Sequence, residues 1–384
     1  MSFESTPVSI VKCATYDEDL VYQKVKEAVD LLGGMKAFVA PGQKVLLKPN
    51  LLSGRPPEKC VTTHPLVVKA VALLVREAGA TVLIGDSPQI ESAKKAAHKC
   101  GIGKVADDLG IDIVEFEPVT VPNPDGKMFK NFTIGKILTE VDRVINIPKL
   151  KTHGLTTLTL AVKNMFGCVP GMRKAEWHLK TYQEGGDHFA KMLLDLYTFI
   201  NPALNIIDGI MAMEGMGPGF GPSRHLGLLI AGTDGVAVDR VVAEVVSISP
   251  ERVSTLHIAA TEEYGRHSME EIALLGETLE DVRVADFKPP AGQDPFMKLP
   301  KAMKKFLKTS FTNRPVILQE VCEVCKFCLK ACPMKCISEE NEIMNIDKEN
   351  CIRCLCCMEA CPHGAIELKP GGLLKAYQRI RKIF

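Results

Sequence analysis

A duplicated cysteine spacing near the C-terminus restricts this chain more than any other feature. Cys322-x2-Cys325-x2-Cys328-x3-Cys332-Pro333 is followed by Cys351-x2-Cys354-x2-Cys357-x3-Cys361-Pro362. Of 14 cysteines, ten fall between Cys322 and Cys361. The other four, Cys13, Cys60, Cys100 and Cys168, are scattered singly and read as small buried hydrophobes. So uneven a distribution marks a separate C-terminal module.

Each copy carries the spacing of bacterial ferredoxins, which bind [4Fe–4S] clusters. A tight loop puts three thiolates on one face of a cubane, and the fourth, three residues on, reaches the neighbouring cluster. The expected ligand sets are Cys322, Cys325, Cys328 and Cys361 for one cluster, and Cys351, Cys354, Cys357 and Cys332 for the other. Zinc also accepts paired Cys-x2-Cys, but it needs four thiolates, not two interleaved fours each closed by Cys-Pro. Cys336 and Cys356 are left over and read as packing residues. ISEENEIMNIDKEN, between the motifs, has the short apolar strands and polar turn of a hairpin.

The rest of the chain calls for a second fold. At 384 residues it exceeds one ordinary core. With 46% hydrophobic and 24% charged residues it reads as soluble and globular. A net charge of +1 offers no basic field for nucleic acid, and no apolar run is long enough to span a membrane. The start, MSFESTPVSIVKC, lacks a signal-peptide pattern, so a cytoplasmic location without structural disulfides is expected.

Residues 1–290 alternate apolar strands with helical stretches, the pattern of an α/β body with a largely parallel sheet flanked by helices. Strands are expected at VSIVKCA, KVLLKPN, TVLIGDSP, IDIVEFE, DRVINIPKL, LNIIDGI and HLGLLIAG. Helices are expected at 18–38, 65–78, 157–167, 187–199 and 235–246. Residues 291–315 read as a linker with a basic helix, 316–370 as a small α+β ferredoxin-like domain, and 371–384 as a basic tail. The two basic pieces suit either peripheral contact with a membrane or acidic partner, or strapping of the small domain to the large one.

Ligands of open α/β sheets bind beyond the carboxyl ends of strands. The polar residues there are Lys48 and Asn50 of KPN, Asp86 and Ser87 of GDSP, Lys149, Lys151 and His153 of PKLKTH, Asp208 of IIDG and Asp234 of AGTDG. Each alone suits a turn or cap; together they suggest a polar cleft. The densest segment, residues 148–171, adds Lys163 and Asn164 on an apolar stretch. A lysine there either binds an anion, acts as a base, or lays its stem over apolar neighbours. Lys163, His153 and Asp86 are therefore the catalytic candidates, and Lys48, Asn50, Lys149, Lys151, Asn164 and Asp208 the substrate-binding ones. His178 and His188 could add acid–base groups. GMGPGFG, residues 215–221, fails as a dinucleotide motif because a strand follows it; a mobile loop or backbone nest near an anion fits better.

KVLLKPN, GDSP, PKLKTH…LTLAVKNMFGCVPG and IIDG…EGMGPGFG…AGTDGVAVD together resemble the family called domain of unknown function 362, whose members often carry such a ferredoxin tail. The resemblance runs over roughly residues 10–290, with the cluster motifs at 315–368. It implies the architecture and leaves the chemistry open. The KN…G..PG segment is also faintly similar to a stretch of nickel-pincer lactate racemases, where a lysine near such a loop holds the cofactor. The expected function is electron carriage through two [4Fe–4S] clusters to or from an anionic small molecule or redox partner protein in the body. The alternatives are a non-catalytic carrier or assembly factor, and a non-redox, isomerase-like enzyme with structural clusters.

Overall fold

The apolar runs that end in polar residues converge on one twisted sheet. In the computed structural model, which describes residues 5–184, 187–290 and 314–369, this sheet has ten strands. They are β1 (Thr6–Lys12), β2 (Lys44–Pro49), β3 (Thr81–Gly85) and β4 (Asp112–Val114), then, after a separate hairpin of β5 (Pro118–Pro122) and β6 (Asn131–Gly135), β7 (Arg143–Ile147), β8 (Lys149–His153), β9 (Thr157–Thr159), β10 (Leu204–Met213), β11 (Ser223–Gly232) and β12 (Ile272–Gly276). Their order across the sheet is β12-β1-β11-β10-β7-β2-β3-β4, with β8 beside the far half of β10 and β9 beyond it. Every pairing is parallel except those of β11 with β1 and β10, and of β9 with β8. The carboxyl ends of β2, β3, β8 and β10 therefore share one edge, where such sheets bind ligands.

Both faces of the sheet are covered, so its central strands are continuous apolar runs rather than alternating ones. Leu228 and Ile230 of β11 face the helices His188–Ile200, Gly235–Val245 and Ser254–Glu262. Leu229 and Ala231, one residue out of phase, face Glu18–Asp30 and Pro65–Glu77. Each fully buried aliphatic side chain here contributes about 1.5–3 kcal/mol.

Two expected helices are shorter than their patterns. The stretch 18–38 ends its helix at Asp30, because Gly33 and Gly34 take φ of +103° and +80°. The stretch 157–167 begins as strand β9, where threonines pair with β8, and turns helical only at Ala161–Asn164. Asp239, buried in the helix Gly235–Val245, accepts the N–H groups of Ala161 and Val162 and fixes that turn. β5, β6, β12 and the helices Ala93–Lys99, Ile102–Leu109, Arg173–Glu184 and Ser254–Glu262 lie outside the sequence expectations.

The module is built as two similar halves. β13 (Arg314–Ile317) pairs antiparallel with β16 (Ile366–Lys369), and β14 (Ile337–Glu340) with β15 (Ile343–Ile346). The expected hairpin is present, its turn made by Asn341 and Glu342 at φ +51° and +62°. The basic segments 291–313 and 370–384 lie outside the described residues. No helix among the described residues is long and apolar enough to cross a membrane.

Candidate functional site

The two cysteine loops have the same backbone. Val324 and Lys326 flank Cys325 at φ +45° and +63°; Arg353 and Leu355 flank Cys354 at +58° and +65°. A left-handed non-glycine residue costs about 1 kcal/mol or more, so four in matching places mark a wrapped site. Each loop leads into a short helix, Phe327–Ala331 or Cys356–Ala360, that ends on Cys332 or Cys361. One cavity is lined by Cys322, Cys325, Cys328 and Cys361, and a second by Cys332, Cys351, Cys354 and Cys357. These are the two crossed sets read from the spacing. Burial, then the facing Cys361, pushes the Cys328 thiol up to about 11, and burial also raises Cys351 and Cys357. Thiolates so placed need a shared cationic centre to neutralise them, which suits a [4Fe–4S] cluster. Among the described residues, no three His, Cys, Asp or Glu side chains close on a position for a single metal ion. Cys336 lines the second cavity with its Sγ 3.4 Å from that of Cys332, in the place that Ala365 takes in the other half. Cys356 packs against Ala331, Ala360 and Ile90.

In the body the lysines are paired individually. Lys48 and Asp86, both buried, form an ion pair at 2.7 Å, and Asp86 accepts the Leu51 N–H. Gly167 covers them, since a Cβ there would lie 2.0 Å from Asp86 Oδ1. Lys149 and Asp208 pair at 2.9 Å, as the β8–β10 register dictates, and Tyr16 bridges them. Tyr16 in turn stacks on His64 at 3.5 Å. Asn164 donates to Asn146 and to the Lys48 carbonyl, closing a buried amide ladder with Asn205. Asp234 caps the helix Gly235–Val245, and Ser87 binds the Gly171 N–H. His178 is neutral, lowered to about 3 by burial, and stacks on Phe189 at 4.3 Å. His188 opens the helix His188–Ile200.

The remaining cations meet at the junction of body and module. A cavity of about 30 Å³ is lined by Asn50, Lys149, Lys151, His153, Lys163 and Asn164 of the body, by Pro218 of the glycine loop, and by Glu359 of the module. Asp86, Lys48 and Asp208 are not among its lining residues; they support it from behind. Lys151, fully buried, donates to Asn50 Oδ1 and the Val61 carbonyl. Burial, with Lys163 adding, lowers it to about 7. The Nδ1 of His153 accepts the N–H groups of Leu155 and Thr156, so its Nε2 carries the proton and donates to Glu359 Oε1 at 2.8 Å. Burial, then Lys163, lowers His153 to about 4 and keeps the ring neutral. Burial alone would raise Glu359, but Lys163 and His153 overcome it and hold it ionised. Lys163, lowered by burial, makes no hydrogen bond or ion pair within 4 Å among the described residues; its Nζ lies 5.8 Å from the Phe166 ring centre.

Among the described residues, Arg55 and the glycine loop help to dock the module on the body. Arg55 donates to the carbonyls of Gly219 and Cys361 at 3.0 and 2.6 Å while lying 4.2 Å over the Phe220 ring. Phe220 packs on Gly364, where a Cβ would come within 2.5 Å of the ring. GMGPGFG is thus a docking loop, tied to β8 by Thr152, which bonds both Gly215 and Gly217. Sequence reasoning missed Arg55, Tyr16, Asp239 and Glu359. Only the placing of Glu359 between two ligand cysteines, in CMEAC, was there to be noticed.

Residues 45–244 match the family described as domain of unknown function (DUF362), and residues 344–367 match a 4Fe-4S binding domain. The thylakoid-associated protein sll1697 of Synechocystis sp. is 42% identical over 259 residues, 67% of this chain and 79% of that one. The lactate racemase apoprotein from Thermoanaerobacterium thermosaccharolyticum aligns at a TM-score of 0.35 with 10% identity, over 58% of this chain and 54% of its own, so the chain spans about half of that structure. With a matched family domain over more than half its length and a matched cluster-binding tail, the chain is an iron–sulfur protein that belongs to the domain of unknown function 362 family.

Proposed function

We propose that this protein carries electrons through two [4Fe–4S] clusters to or from an anionic molecule or a partner held at the junction cavity. The observation that carries this reading is the His153–Glu359 hydrogen bond. It joins the candidate ligand site of the body to the helix between Cys357 and Cys361. When bound, such clusters take up and release electrons one at a time. Cys322, Cys325, Cys328 and Cys361 hold one and Cys351, Cys354, Cys357 and Cys332 the other. Lys163 and Lys151 attract the anion, and His153 holds a transferable proton at Nε2. The pairs Lys48–Asp86 and Lys149–Asp208 keep the cavity wall rigid.

Protein purified without oxygen and analysed for iron and sulfide tests the first half: about eight iron atoms per chain are expected. Four iron atoms, or zinc, sink the two-cluster assignment. Reoxidation of dithionite-reduced protein by small organic acceptors supports a catalytic body. Reoxidation by partner proteins alone leaves a non-catalytic carrier, and turnover that ignores cluster oxidation state leaves an isomerase-like enzyme.

A second reading adds to the first. The Synechocystis relative is named as thylakoid-associated, and this sequence carries Lys301, Lys304, Lys305 and Lys308 among apolar residues. We infer that the protein works on the cytoplasmic side of a membrane, held peripherally by charge. Co-sedimentation with anionic vesicles at low salt, lost at high salt, is the expected result; equal recovery with neutral vesicles refutes it.

A further inference from the structure

We propose that the junction cavity binds one compact, singly charged oxyanion of three or four heavy atoms, with Lys163 as its charge partner. This deepens the reading above, on which it rests, by naming the ligand class.

The charges around the cavity do not balance. Three lysines line it, and among the described residues Glu359 is the one acid that does. Lys149 is neutralised by Asp208 at 2.9 Å. Lys151 spends two donors on neutral acceptors, Asn50 Oδ1 and the Val61 carbonyl. Glu359 is bound to the neutral ring of His153, and Lys163 has no ion pair within 4 Å among the described residues. Two ammonium groups, Lys151 fully buried and Lys163 partly so, thus share one carboxylate. Unpaired buried charge is costly, so such a site either sheds a proton or takes an anion. The weak hold of Lys151 on its proton shows how close the first outcome lies; an anion here would restore that proton.

The space sets the size. A cavity of about 30 Å³ accepts one or two waters, or a planar group such as formate, bicarbonate or nitrate. A dicarboxylate chain does not fit beside Pro218 and Leu160, which line the same cavity. Glu359 shows what the pocket recognises, because a carboxylate is already seated in its wall, accepting from His153 Nε2 at 2.8 Å.

The test is calorimetric titration of the oxidised, cluster-loaded protein with sodium formate, nitrate and bicarbonate, with succinate as the oversized control. We expect one-to-one binding of at least one compact anion, weakened at least tenfold in Lys163→Met, and no succinate binding. Thr159→Leu, which fills the cavity from its wall and leaves both lysines, should abolish binding too; it serves if Lys163→Met loses iron. Absence of saturable binding by all three anions overturns the proposal. So does undiminished affinity in the filled-cavity variant, or succinate binding as tightly as formate. No electron moves in this measurement, so its failure is distinct from that of the electron-transfer reading, which is judged by iron content and reoxidation.

Discussion

Replacing Arg55 with alanine tests the docking of module on body. The guanidinium donates two charge-assisted bonds to backbone carbonyls, at 3.0 and 2.6 Å, and lies 4.2 Å over Phe220. Bonds of that type contribute about 1.5 kcal/mol each at the low end, and the ring contact about 0.5–1 kcal/mol. The gross loss is therefore about 3.5–4 kcal/mol. Water rehydrates the Gly219 and Cys361 carbonyls once the interface opens, which returns about half. A net loss of about 2 kcal/mol corresponds to a roughly 30-fold rise in the undocked population. Hydrogen exchange of the loaded protein reads this locally. In Arg55→Ala, the amides of 217–220 and 361–365 should exchange about 30-fold faster, while those of β2 and β10 keep their wild-type rates. Arg55→Lys should recover only part, since an ammonium cannot serve both carbonyls and the ring in one plane. Unchanged exchange at 361–365 would falsify the claim that Arg55 holds the module.

Cys357→Ser should cut bound iron by about half, whereas Cys356→Ser should leave it unchanged; iron assay and visible absorbance decide between them. Gly167→Ala forces a methyl to 2.0 Å from Asp86 Oδ1 and should cost about 3–5 kcal/mol by parting the buried Lys48–Asp86 pair, read as a fall in denaturation midpoint. Lys151 gives a pH dependence of defined sign. Its pKa is lowered from 10.5 to about 7, so between those values the unfolded chain binds the extra proton and stability rises with pH. Lys174, lowered to about 8 by burial, acts in the same direction over a narrower window. Denaturation midpoints at about pH 7 and about pH 9.5 should differ less in Lys151→Met than in wild type; an equal slope in both refutes the assignment.

The module was legible because cluster binding imposes fixed spacing on neighbouring residues, and the matched 4Fe-4S domain falls on that spacing, with the eight cysteines lining two cavities. The body strands were legible for a related reason: burial on both faces writes a continuous apolar run. Helix 157–167 was misjudged because Thr157 and Thr159 pair with β8, a partner that local periodicity does not reveal. Pairing was the other blind spot. Lys48, Lys149, Lys151 and Lys163 look alike in sequence, yet Asp86 and Asp208 neutralise the first two, and the other two line the cavity with no ion pair among the described residues. Glu359 meets His153 across 206 residues and Arg55 meets Cys361 across 306, separations over which only the folded sheet and its docked module bring the partners together.

The crossed cysteines also decide how the module can be taken apart. The half that ends at Cys336 lends Cys332 to the cavity of its sister and receives Cys361 in return. Neither half owns a complete set of four thiols. If the two pieces of a chain cut in the β14–β15 hairpin part, neither keeps a full set: each is left a thiol short, whereas ending the chain just before Cys361 shortens only the set of Cys322, Cys325 and Cys328. The repeat is in this sense a dimer of two half-domains that happen to share one chain, each completing the thiol set of the other's cavity, so neither half can be excised without opening both cavities.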